Sequence, residues 1–228
     1  MIETRRKLID GTIATLRDKG IAGTSARAIA AAAEVNQALV FYHFGSVDAL
    51  IDQACREGAA ERVEFYRSRF SQVSSLRELL ALGQELHAQE REAGNVTVLA
   101  QVLAGAQQDA NLADAARHAL LLWVAEIETA LARLLVGSPI AELADPAGLA
   151  RAVTAAFIGI ELYEGVDSAG AQNALSALEQ LTLLTEIVED LGTVGRRAFL
   201  SRIRRTHPAL RPLHDSGSST TRSEIESD

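Results

Sequence analysis

Apolar positions recur every three or four residues along most of the chain, the spacing of one face of a helix rather than the alternation of a half-buried strand. Ile9, Ile13 and Leu16 mark a first helix over residues 3–19. Thr24 or Ser25 can cap a second, short helix from Ala26 to Ala33, with Ile29 and Ala30 facing a core. The pattern breaks at Glu34-Val35-Asn36, and Asn36 can cap a third helix over Gln37 to His43. A long helix restarts at Ser46 and runs to residue 71, with Leu50, Ala54, Val63, Tyr66 and Phe70 in register. Three more helices are predicted over 75–93, over 96–107 behind an Asn95 cap, and from Asp109 or Asn111 through Leu135. Gly137-Ser138-Pro139 is a breaker, and Asp145-Pro146 reads as a cap followed by proline at the first helical position. Helices over 146–165 and 171–192 follow, with a gap from Asp167 to Gly170, and then a short basic helix near 195–205.

These elements predict an all-α chain of about nine or ten helices. Three form an N-terminal helix-turn-helix head (residues 1–45), joined to a C-terminal helical bundle (46–207). Residues 215–228 hold seven Ser/Thr among fourteen and almost no apolar side chain, so the tail from 208 onward is expected to be disordered.

The stretch 24–46, TSARAIAAAAEVNQALVFYHFGS, carries the functional signal. Two short helices joined by a turn of about three or four residues present the second helix to a DNA major groove. On this reading Ile29, Val35, Val40, Phe44 and Leu50 are core, and Asn36, Gln37, Ala38, Leu39, Tyr42 and His43 face DNA. Gln37 can pair with adenine and Leu39 can touch a thymine methyl, while Tyr42 and His43 suit phosphates. Ser25 and Arg27, at the mouth of the second helix, suit phosphate oxygens through hydroxyl, guanidinium and backbone N–H groups.

The ordered pattern Ile9, Ile13, Leu16, Gly20, Thr24-Ser25-x-Arg27-x-Ile29-Ala30, Ala33-x-Val35, Phe41-Tyr42-His43-Phe44, Leu50 resembles the TetR family of bacterial transcriptional regulators over the first fifty residues. Three positions depart from it. Glu34 stands where a glycine commonly makes the turn, and a left-handed backbone there would cost roughly 1 kcal/mol. Phe41 replaces a common tyrosine and Val47 a frequent lysine, removing a hydroxyl and a cation near DNA. The resemblance implies that the last two long helices pack against their twins in a homodimer, through Phe157, Leu178, Leu181, Thr185 and Val188. Two recognition helices about 34–36 Å apart could then read a palindromic operator. It also implies a small-molecule pocket in the central helices, with Gln101, His118, Trp123, Phe157 and Glu161 as its candidate lining and a partly apolar effector.

Composition changes the picture at two points. The net charge of −8 looks unsuited to a DNA binder, but residues 51–195 hold 21 acidic against nine basic groups, whereas residues 1–50 hold five against six. The acidity therefore belongs to the body, and only the head need meet phosphates. Residues 196–214 carry six arginines and no acid, expected to pair with the acidic body. The single Cys55 excludes an intrachain disulfide, and no transmembrane or signal segment is evident, so a cytoplasmic protein is expected. No metal-ligand spacing, glycine-rich phosphate loop or nucleophile elbow occurs, so neither an enzyme nor a cofactor is expected. The expectation is a ligand-responsive repressor. Its rivals are an effector-independent regulator and a helical interaction module with weakened DNA binding.

Overall fold

The computed structural model describes residues 2–138, 141, 145–189 and 191–206, and among these every regular element is helical. The order is α1 (Ile2–Lys19), a short 3-10 turn (Ile21–Gly23), α2 (Ala26–Ala32), α3 (Ala38–Phe44), α4 (Val47–Gln72), α5 (Leu76–Glu92), α6 (Asn95–Ala106), α7 (Ala110–Leu134), α8 (Pro146–Glu164), α9 (Ser168–Glu189) and α10 (Thr193–Thr206). None is long and apolar enough to cross a membrane.

Local chemistry sets most of these boundaries. Ser25, Ser46 and Ser75 each accept a hydrogen bond from the backbone N–H three residues on, satisfying one of the donors a helix start leaves open. Asp109 and Asp145 do the same for α7 and α8, with Pro146 in the first turn, where its missing N–H costs nothing. Two boundaries differ from the sequence reading. Gly94, at φ 76°, is the residue preceding α6, and Asn95 lies inside the helix with its amide donating to Glu90 Oε2 at 2.6 Å. The gap at 167–170 is shorter than expected: α9 begins at Ser168, because Asp167 Oδ1 accepts from the Gly170 N–H at 2.9 Å. Pro139 and the tail 208–228 lie outside the described residues.

The head closes on a core of Leu8, Ile9, Ile29, Ala30, Val40, Leu50 and Ala54. Leu50 and Ala54 come from α4, so that helix, about 39 Å long at 1.5 Å per residue, enters the head core and then continues into the body. There α4 packs mainly on α7, α7 on α8, and α8 on α9, while α6 lies between α1 and α7. The lower body core gathers Tyr66, Phe70, Leu82, Leu86, Val124 and Leu131, and a smaller cluster of Leu16, Ile51, Cys55, Val102 and Leu112 joins head to body.

The side chains of Arg196 and Arg204 in the basic helix α10, two of those expected to pair with the body, lie outside the described residues. Arg197, Arg202 and Arg205 make no ion pair among the described residues, and Arg205 donates only to the Ser201 carbonyl oxygen.

Candidate DNA-reading head and body cavity

Helix α2 ends in a left-handed turn. Glu34 has φ 55°, the Val35 N–H reaches back to the Ala30 carbonyl at 3.0 Å and the Glu34 N–H to that of Ala31 at 3.3 Å. This pair of bonds is the Schellman motif, in which the residue after the cap must turn left-handed. A glutamate therefore occupies a glycine geometry, as its place in the sequence pattern implied. Asn36 Oδ1 then accepts the Ala38 N–H at 2.8 Å and starts α3. At the other end Gly45, at φ 77°, closes α3 with its N–H on the Phe41 carbonyl.

The turn and two caps hold α3 with Val40 inward, fully buried, and Gln37, Ala38, Phe41 and Tyr42 outward. Tyr42 is 73% exposed and Phe41 50%. Ser25 and Arg27 are exposed beside this face, and Arg27 makes no ion pair among the described residues. Leu39 and His43, expected at the groove, are half-buried: Leu39 packs on the head core, and the His43 ring lies edge-on between Tyr42 and Phe44. Phe41 was missing from the expected face, although its i,i+4 spacing from Gln37 places the two together.

The body holds a cavity of about 520 Å³, open to solvent on one side. Its walls are mostly apolar and come from α1, α4, α5, α6, α7 and α8, with Ile13, Leu86, Val98, Val102, Trp123 and Phe157 among them. Trp123, Phe157 and Glu161, expected to line a pocket, do so. Gln101 and His118 do not, and these two assignments are corrected. On α7 the cavity stripe runs through Ala116, Ala119, Leu120, Trp123 and Ile127, which leaves His118 on the exposed face. Gln101 turns toward the head, where its Oε1 accepts the Ile21 N–H at 3.3 Å and packs over Gly20. Sequence periodicity did not bring out the α1 wall of Ile9, Ile13 and Ala14, because nothing local says that the DNA head roofs the body.

Polar groups gather at one end of the cavity. Glu90 is held by Arg62, whose Nε donates at 2.9 Å, by the Asn95 amide and by the Tyr66 hydroxyl at 2.8 Å. His87, almost buried, contacts Glu164 through Nε2 at 2.6 Å and Glu161 through Nδ1 at 3.4 Å. Glu164 is also paired with Arg91. Burial raises the Glu161 carboxyl above the usual glutamate range, and its contact with His87 offsets this only in part. Cys55 also faces the cavity, where burial pushes its thiol up to about 12 and keeps it protonated. Among the described residues no His, Cys, Asp and Glu cluster could hold a metal ion.

Phe157, expected both in the pocket and at the dimer interface, has its ring in the cavity wall against Gly83, where a Cβ would approach it to 2.6 Å. Leu178 is half-buried and Leu181 is 56% exposed. The side chains of Thr185 and Val188 lie outside the described residues. The outer face of α8 and α9 nevertheless exposes Leu162, Tyr163, Leu181, Leu184 and Ile187.

A capped helix-turn-helix head above a helical body with an internal cavity is the architecture of a one-component regulator. Residues 8–54 match the model of the bacterial regulatory proteins of the tetR family. The head thus matches the model of this family, and the chain carries the fold of TetR-family transcriptional regulators. A crystal structure assigned to that family from Rhodococcus sp. superposes with TM-score 0.66 at 23% identity, covering 83% of this chain and all of the other. A transcriptional regulator from Saccharomonospora viridis in complex with choline gives TM-score 0.64 at 17% identity, over 80% of this chain and 94% of the other. The multidrug binding protein EbrR complexed with proflavin gives 0.55 at 27%, over 78% and 99%. No curated protein matches the chain.

Proposed function

We propose that this protein is a homodimeric repressor that binds a palindromic operator through its head (residues 1–45) and releases it when a small molecule fills the cavity of the body (46–207). The observation that carries the reading is α3. Its inner face is locked by Val40 and two caps, while Gln37, Ala38, Phe41 and Tyr42 stand in solvent beside Ser25 and an Arg27 that has no ion pair among the described residues. A helix so held offers base-reading and phosphate-binding groups without having to reorganise. The apolar outer face of α8 and α9 supports a dimer, since a lone protomer would leave that surface wet. The complexes of related folds with choline and proflavin support a small-molecule ligand.

The route from ligand to DNA is short. Helix α6 lines the cavity with Val98 and Val102 and holds the head through Gln101, and α1 itself forms a wall. A ligand that favours a body state with the heads wrongly spaced lowers operator affinity by that difference in binding free energy. The protein acts on chromosomal DNA in the cytoplasm, and its chemistry is binding rather than catalysis.

Operator binding is tested by mobility shifts on DNA flanking the coding region. Gln37→Ala should change which bases are tolerated, at about 1–3 kcal/mol for the affected base pair. Arg27→Ala should weaken all sequences alike and flatten the salt dependence, as loss of one phosphate contact does. Absence of any shift with the wild-type chain would favour the interaction-module reading instead.

A further inference from the structure

We propose that the cavity takes a bulky, largely apolar organic cation, whose charge replaces a proton held between Glu161 and His87. The inference rests on the reading of the cavity as the ligand site and deepens it. Three carboxylates stand at the polar end. Glu90 has Arg62, and Glu164 has Arg91 together with His87 Nε2 at 2.6 Å. Glu161, the one of these on the cavity wall without an arginine, has His87 Nδ1, at 3.4 Å, as its one hydrogen-bond partner among the described residues.

An imidazole with one proton cannot donate to both glutamates. The proton on Nε2 serves the short contact to Glu164, and Nδ1 then turns a lone pair toward the Glu161 carboxylate. Two acceptors face each other there unless a further proton stands between them. The free site therefore holds that proton, on Glu161 or on the imidazole. Burial of Glu161, which disfavours its charged form, and the nearby Glu90 and Glu164 act in the same direction, while Arg62 and Arg91 are already engaged. The neighbouring α7 wall, with Ala119, Trp123 and Ile127, supplies no charge.

A cation entering the apolar space gives Glu161 a permanent partner, and the proton leaves to solvent. Among the exposed groups of the lining, Asp10 and Glu61 share Arg6, and Arg17 is drawn to Asp18 through Nε at 3.1 Å, so the uncompensated charge lies at Glu161. An anion of the same shape meets the opposite: it must desolvate beside the Glu161 carboxylate, while Arg62 at that end of the wall is already held by Glu90.

Tetraphenylphosphonium and tetraphenylborate, alike in size and shape but opposite in charge, test this on the full chain through Trp123 emission and titration calorimetry. The expected result is at least about tenfold tighter binding of the phosphonium. Its calorimetry in buffers of different ionisation enthalpy should show net proton release, and its affinity should rise by up to about tenfold per pH unit until the free site no longer holds the proton. Glu161→Gln should lose the proton release and most of the preference for the cation. Preference for the borate, or phosphonium binding without proton release in the wild type, overturns the cation assignment while leaving the cavity a ligand site. If neither ion binds, the ligand-site reading falls with it. These wild-type outcomes decide the matter even if Glu161→Gln does not fold.

Discussion

The head and the body are both built from amphipathic helices, yet they are packed to opposite ends. In the head, Leu8, Ile29, Val40 and Leu50 are completely buried around one small core, and the polar turn residues are used up in capping. In the body two apolar clusters stand apart, and a cavity of about 520 Å³ lies beside them, bounded above by α1 of the head. The outer face of α8 and α9 leaves Leu181, Leu184 and Ile187 more than half exposed. Close packing makes the head a rigid bearer of α3, because a close-packed core cannot deform by degrees. The loosely filled body leaves room for the rearrangement that the proposed ligand-biased switch needs. On the proposed function, the head must hold a shape and the body must be able to change one.

The comparison breaks most visibly at the body's outer face. Leu181 is exposed in the single chain, so Leu181→Glu should leave each protomer folded. In a dimer it would bury two like charges near a twofold axis. The expected result is a monomer in sedimentation with operator affinity reduced about 10²–10⁴-fold, the advantage of binding two linked half-sites at once. A folded dimer with unchanged operator affinity would remove this face from the interface.

Next in size is the head core. Leu50→Ala should cost about 2–5 kcal/mol in denaturant unfolding, because nothing can collapse into the space beneath α2 and α3. The opposite sign is expected in the body, where Ala119→Leu points a larger side chain into the cavity. It should stabilise the chain by about 0.5–2 kcal/mol in the same assay and blunt any ligand response measured through Trp123. Destabilisation by Ala119→Leu would show that the cavity is less open than its walls imply.

The smallest effect sharpens the account of the turn. Glu34→Gly relieves a left-handed glutamate and should raise stability by roughly 1 kcal/mol, read as an increase in melting temperature, with operator specificity unchanged. No gain would mean that the turn's hydrogen bonds already offset the strain.

Most of the helix inventory was legible in the sequence, because caps and breakers act over three or four residues. Ser25, Ser46, Asp109 and Asp145-Pro146 stand beside the backbone groups they satisfy, and Glu34 announced its own left-handed turn by falling where the pattern wants glycine. Where periodicity was asked which way a side chain faces, it succeeded only when one partner was possible. Val40 and Ile29 had a single small core to enter. In the body each helix has neighbours on several sides, so an apolar residue could serve a core, a cavity or a partner chain alike. Phe157 went to the cavity and Leu181 to the surface, while Gln101 went to the head and His118 to solvent. Those choices depend on residues far away along the chain, such as Gly83 beneath Phe157 and Ile21 beside Gln101. The isolation of Glu161 is of the same kind. Its charge is written in the sequence, but that Arg62 and Arg91 go to Glu90 and Glu164 instead is settled only when α4, α5 and α8 meet.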